Sequence, residues 1–193
     1  MKDVYDLAFK EIGTYEWAEG SNPKVVQYYA DSGNAGIKDD SVAWCAAFVG
    51  AMLKRAGYKG TGSLAARSYL KWGESIAERD IQIGDVIVLA RGNSTWQGHV
   101  FFAAGKPRNG FIDGLGGNQQ DAVNIQRHRL TKFLGARRGT PVRGAKMIVS
   151  TPHVAQSPQS SKQVAPSKSG GFWASLGKLI ADFFVGYGRN KRK

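Results

Sequence analysis

Cysteine is almost absent from this 193-residue chain: Cys45 is the only one. A single thiol cannot close a disulfide within the chain, and it is too few for a cysteine-built structural zinc site. Histidine is nearly as scarce, confined to His99, His128 and His153. No zinc-finger spacing, glycine-rich phosphate loop or RNA-binding aromatic signature is found, so nucleic acid is not an expected partner. The opening Met1-Lys2-Asp3-Val4-Tyr5-Asp6 lacks the apolar run of a signal peptide. The expectation is synthesis in the reducing cytoplasm, where a lone thiol stays free. Acidic residues are also in short supply, 15 against 27 basic ones, for a net charge of +12. Such a balance favours polyanionic surfaces such as phospholipid head groups or an anionic cell envelope.

What is present begins around that thiol. Apolar residues Val42, Phe48, Val49, Met52 and Leu53 recur near the helical period. Asp40 or Ser41 is a candidate cap at the start, and Gly57, after Lys54 and Arg55, marks the stop. Cys45 would then lie in the first turn, where unpaired N–H groups and the positive end of the dipole favour the thiolate. A free cysteine more often packs as a small hydrophobe. A histidine in the right setting changes that balance.

His99 lies in Gly98-His99-Val100-Phe101-Phe102-Ala103, a β-prone run entered by glycine. Before it comes Ile83-Gly84-Asp85-Val86-Ile87-Val88-Leu89, a second strand opened by a Gly-Asp turn, and the polar loop from Arg91 to Gln97 joins the two. Further strands are predicted over Gly110 to Leu115 and Ala122 to Arg127. The pattern is α+β: helices first, then an antiparallel sheet, with cysteine on a helix and histidine on a strand. Packing helix on sheet would let an imidazole take the thiol proton and return it to a leaving amine. Asn118 is the candidate to orient the imidazole, with Gln119 and Asp113 as competitors. His128, between Arg127 and Arg129, reads as a solvated basic strand end, and His153 as exposed.

Together these residues resemble the papain-fold cysteine hydrolases of peptidoglycan, the CHAP and NlpC-like amidases and endopeptidases, in a phage-associated branch. The likeness rests on Trp44-Cys45-Ala46-Ala47-Phe48-Val49, Gly84-Asp85, Gly98-His99-Val100 and Gly117-Asn118-Gln119. Gly13, Glu16, Asn22-Pro23 and the stretch Thr61 to Ser68 extend it over about residues 1 to 140. It implies a Cys45 nucleophile, a His99 base, Asn118 as orienting residue, and no metal or cofactor. Peptidoglycan is the implied partner and wall amides the implied target, reached after release or delivery. A holin, a secretion machine or an immunity protein would then be further partners, with the enzyme a monomer. Substrate-groove candidates are Trp44, Trp96, Asp40 and Gln119, with Trp72 and Arg91 beside them. The Cys45 backbone N–H is the natural oxyanion donor. Asp40, the nearest polar group upstream, would be a poor second one because it is an anion.

Composition shifts after residue 143. Residues 144–171 read as a flexible linker rich in Ser, Gln, Pro, Lys and Gly. Residues 172–193 read as an amphipathic segment with a basic end. Ser175, Lys178 and Asp182 share one helical face, and Phe172, Trp173, Phe183 and Phe184 lie among the apolar positions. Its apolar part is shorter than the ~20 residues needed to span a bilayer. Arg189, Lys191, Arg192 and Lys193 would meet anionic head groups, at roughly 1 kcal/mol per charge. The expected domains are thus 1–143, 144–171 and 172–193. The combined expectation is a wall hydrolase whose cationic tail engages membrane, as in a phage lysin or antibacterial effector. The alternative is a non-catalytic wall-binding or virion-associated module with a membrane-active tail.

Overall fold

A computed structural model of the chain describes residues 1–142. The expected linker (144–171) and membrane segment (172–193) lie outside the described residues. Three helices come first: α1 (Lys2–Phe9), α2 (Pro23–Asp31) and α3 (Cys45–Arg55). Asn22 caps α2 by accepting from the Lys24 N–H at 2.9 Å, with Pro23 at the first helical position, where its missing N–H costs nothing. No helix among the described residues is long and apolar enough to cross a membrane.

Among the described residues six strands follow: β1 (Glu74–Ile76), β2 (Val86–Ala90), β3 (Gly98–Ala103), β4 (Phe111–Gln119), β5 (Ala122–Arg129) and β6 (Phe133–Arg138). They form one antiparallel sheet in the order β1-β6-β2-β3-β4-β5. The α+β expectation holds. The four strands legible in the sequence are all present, and β1 and β6 are additions.

The central strands bury both faces, which is why they read as continuous apolar runs. Val86, Val88, Val100, Phe102 and Leu115 pack with the helices in the larger core. Ile87, Leu89, Phe101, Ala103 and Ile112 build a second core on the opposite face. Asp85, expected only as a turn residue, is fully buried and forked by Arg138, whose Nε donates at 2.7 Å and Nη2 at 2.6 Å. This pair ties the start of β2 to the end of β6.

Helix α3 is the most deeply buried helix, with every residue from Cys45 to Leu53 in the core. It starts at Cys45, three residues later than the apolar periodicity suggests. Trp44 occupies the cap position without a side-chain cap bond, and neither Asp40 nor Ser41 fills that role. Gly57 (φ 82°) takes the left-handed conformation just past the helix end. Gly117 of β4 lets the strand pass directly over the Trp44 and Phe48 side chains, because any Cβ there would overlap them.

Candidate active site

The thiol of Cys45 sits at the first residue of α3 and is 7% exposed. Its sulfur faces the backbone N–H groups of Cys45, Ala46 and Val100, the last belonging to the residue after His99. These donors and the nearby Arg91 charge favour the thiolate, but burial outweighs them and the thiol pKa is raised. The helix start therefore does not by itself ionise Cys45, contrary to the dipole argument. A base is required.

His99, near the start of β3, pairs across the sheet with Leu89. Its pKa is lowered, chiefly by burial, with an opposing effect of the Gln119 hydrogen bond and a further lowering by Arg91. A protonated thiol and a neutral imidazole are the forms that these shifts favour. Arg91, at the end of β2, acts on both groups. The thiol and the ring are not hydrogen-bonded to each other here. Catalytic contacts often close only when substrate binds.

The His99 tautomer follows from its partner. His99 Nε2 lies 2.9 Å from Gln119 Oε1. The Gln119 amide nitrogen donates to Asn124 O at 2.8 Å, Asn124 Oδ1 at 3.0 Å and Gly114 O at 3.2 Å, which fixes the amide orientation. Oε1 is then an acceptor only, so His99 Nε2 carries the proton and Nδ1 is left unprotonated. Gln119, 3% exposed, is therefore the side chain that holds the His99 ring.

Asn118 does not take that role. Its amide donates to Glu16 Oε1 at 2.7 Å, where the Trp44 indole N–H also donates at 2.5 Å. The cause is a β-bulge: Gly116 pairs with Asn124 and Gln119 with Ala122, so β4 holds one extra residue. Asn118 sits in the left-handed region (φ 56°) within it. Ile112, Gly114 and Gly116 face Phe101, and strict alternation would send Asn118 the same way. The bulge delivers Gln119 instead.

The other expected site residues separate. Trp44 is fully buried and Asp40 nearly so, which removes both from a substrate groove. Asp40 accepts from the Asn22 N–H at 2.7 Å and the Trp17 N–H at 3.1 Å, and so anchors the loop before α2. Trp96 stands 73% exposed on the β2–β3 loop. That loop is clasped by Arg67, which donates to Gln97 O at 2.8 Å and Ser94 O at 2.6 Å. Asp113, the third competitor, is exposed and pairs across the sheet with Arg127. His128, read as solvated, is half-buried with Nε2 2.9 Å from the same Gln119 Oε1. Glu16 also escaped notice as a partner of Trp44 and Asn118. Among the described residues no group of His, Cys, Asp and Glu side chains is arranged to hold a metal ion.

No protein-family model matches the chain, and no curated protein does. Solved structures with a similar backbone include the endolysin LysIME-EF1, at 15% identity and a TM-score of 0.49, over 74% of this chain and 65% of that one. Another is an NlpC/P60 family protein from Bacillus cereus, at 17% identity and a TM-score of 0.42, over 72% of this chain and 40% of that one. The chain thus spans less than two thirds of the length of either.

Proposed function

We propose that this protein is a cysteine hydrolase acting on peptidoglycan amides. The observation that carries the reading is the Cys45–His99–Gln119 arrangement. A lone thiol at a helix start adjoins the strand of an imidazole whose tautomer is set by a buried amide. The papain-like resemblance of the sequence supplies the substrate class.

In this reading His99 Nδ1 accepts the Cys45 proton as sulfur attacks the scissile carbonyl carbon. The oxygen becomes negative in the tetrahedral intermediate, and the Cys45 backbone N–H is the natural donor to it. Collapse breaks the C–N bond. The His99 imidazolium gives its proton to the departing amine, and a thioester remains. Water then attacks the thioester carbonyl, His99 takes its proton, and the thiolate leaves and is reprotonated. Gln119 contributes a carbonyl that steadies the imidazolium without accepting its proton. The amide cut, sugar–peptide or peptide–peptide, requires the same steps.

The basic segment 172–193 extends the proposal: an anionic membrane surface is its partner, and the enzyme reaches the wall after release or delivery. Its support is the apolar and aromatic run from Phe172 to Tyr187 followed by Arg189, Lys191, Arg192 and Lys193.

The test is digestion of purified peptidoglycan by the full chain and by Cys45→Ala, with products resolved by mass spectrometry. New amino termini on stem peptides, absent with the variant, are expected and would identify the bond. A folded wild-type chain that yields no products would overturn the hydrolase reading and move the weight to membrane leakage by the tail.

A further inference from the structure

Both lone pairs of one buried carbonyl are taken by imidazoles: Gln119 Oε1 lies 2.9 Å from His99 Nε2 and 2.9 Å from His128 Nε2. Because Oε1 only accepts, both rings carry their proton on Nε2. His128 is itself held. It pairs in register with Ile112 and stacks on Phe101 at 4.4 Å and 16° between planes. Its neighbours Arg127 and Arg129 sit over the Phe111 ring, 4.7 and 5.4 Å from its centroid. Phe111 and Ile112 are consecutive on β4 and so face opposite sides of the sheet. The arginines therefore do not share the face of His128. Gln119 is tied from its other end by Asn124, whose amide returns a bond to Gln119 O at 2.7 Å.

We propose that His128 is a positioning residue for the base: its Nε2–H fills the second lone pair of the Gln119 carbonyl and so holds His99 in the Nε2–H tautomer, with Nδ1 free for the thiol proton. The proposal rests on the hydrolase reading for its purpose, but its geometry is independent of substrate. With the second donor removed, a buried acceptor is left half-satisfied, and the amide gains freedom to tilt. His99 then loses its fixed partner. The Phe101 stack keeps the His128 ring in place through the cycle, so the base moves protons while its support does not move.

The test uses the full chain with 15N-labelled histidine and two readouts, ring tautomers by long-range 1H–15N spectra and the rate at which iodoacetamide alkylates Cys45 at neutral pH. In the wild type both His99 and His128 are expected as Nε2–H. An Nδ1–H form of either would overturn the shared carbonyl without recourse to any variant. His128→Phe keeps an aromatic ring on Phe101 and deletes the donor. It is expected to give mixed His99 tautomers and about five- to ten-fold slower alkylation, the worth of one neutral hydrogen bond. His128→Gln restores an N–H donor and is expected to recover both readouts. Unchanged readouts in a folded His128→Phe, or failure of a folded His128→Gln to recover them, would overturn the proposal. His99→Ala separates the two readings. If it alkylates as fast as the wild type, the thiol–imidazole pair itself is refuted, whatever His128 does.

Discussion

Two polar clusters in this fold have opposite characters. The one among the helices is charged: Arg55 bridges Glu11 at 3.0 Å and Asp31 at 2.7 Å, and Lys24 adds a contact to Glu11 at 3.0 Å. Tyr28 donates to Glu11 at 2.7 Å, and the Arg55 guanidinium lies over its ring. The one on the sheet, His99–Gln119–His128, carries no formal charge in the state that burial favours. Every charge in the helix cluster is already answered, so it holds the turn after α1 to α2 and α3 and has nothing left to give. In the proposed hydrolase the sheet cluster leaves its one charge to be created during reaction. A carboxylate in the place of Gln119 would fix a positive imidazole in advance. The amide steadies that charge only when it forms.

Substitutions can separate the two roles. The largest effect is expected for Cys45→Ser, a loss of at least about a thousand-fold in amide hydrolysis. Its melting temperature should stay near that of the wild type, and a large drop would show that Cys45 serves packing first. Next is Arg55→Met, which leaves Asp31 without its cation and Glu11 with only Lys24 and Tyr28. A loss of about 3–5 kcal/mol is expected from denaturant midpoints, with turnover per folded molecule unchanged. Lower turnover in the folded fraction would break the division between the clusters.

Gln119→Glu makes the sheet cluster resemble the helix cluster. A carboxylate next to His99 favours the imidazolium, so its pKa should rise by ~1–3 units in an NMR titration. An unmoved His99 would mean that Gln119 does not control it.

Acidity should act on the sheet cluster with a defined sign. Burial lowers the His128 pKa from 6.5 to about 4, with the neighbouring His99 adding to the shift, and the His99 pKa is also lowered. Depressed folded-state values mean that the unfolded chain binds these protons more tightly. Stability is therefore full above about 6.5 and is lost as pH falls from there toward about 4. Urea midpoints across that range check the slope, and His128→Phe should flatten it. The smallest effect is expected for Lys24→Ala. That ammonium is 57% exposed, and under about 1 kcal/mol should be lost.

Much of this was legible in the residues, and the exceptions have identifiable physical causes. The runs that became β2 and β3 are apolar on both faces and stand out without context. Strand β1 is only three residues at an edge, and β6, Phe133-Leu134-Gly135-Ala136-Arg137-Arg138, mixes glycine and arginine, so neither carries a period. Asn118 was the expected orienting residue because it follows the strand predicted over Gly110 to Leu115 and lies in the Gly117-Asn118-Gln119 run that carries the resemblance. One extra residue in the bulge hands the position to Gln119, and no single-chain pattern announces a bulge. His128 looked solvated because its sequence neighbours are arginines. Its spatial neighbours are Phe101, His99 and Gln119, set by register with a strand that precedes it in the chain. Cys45 and His99 stood out as candidates because scarcity made them conspicuous.

Trp44 has an optical consequence. Its indole is sealed from solvent, tilted 27° against Tyr28 at 5.9 Å, and hydrogen-bonded to Glu16. It is also the residue covalently preceding the thiol. An indole in so dry a setting should emit at short wavelength, apart from the exposed Trp96. Acylation or alkylation of the adjacent sulfur would then register in that emission, giving the protein an intrinsic fluorescent gauge of its one thiol.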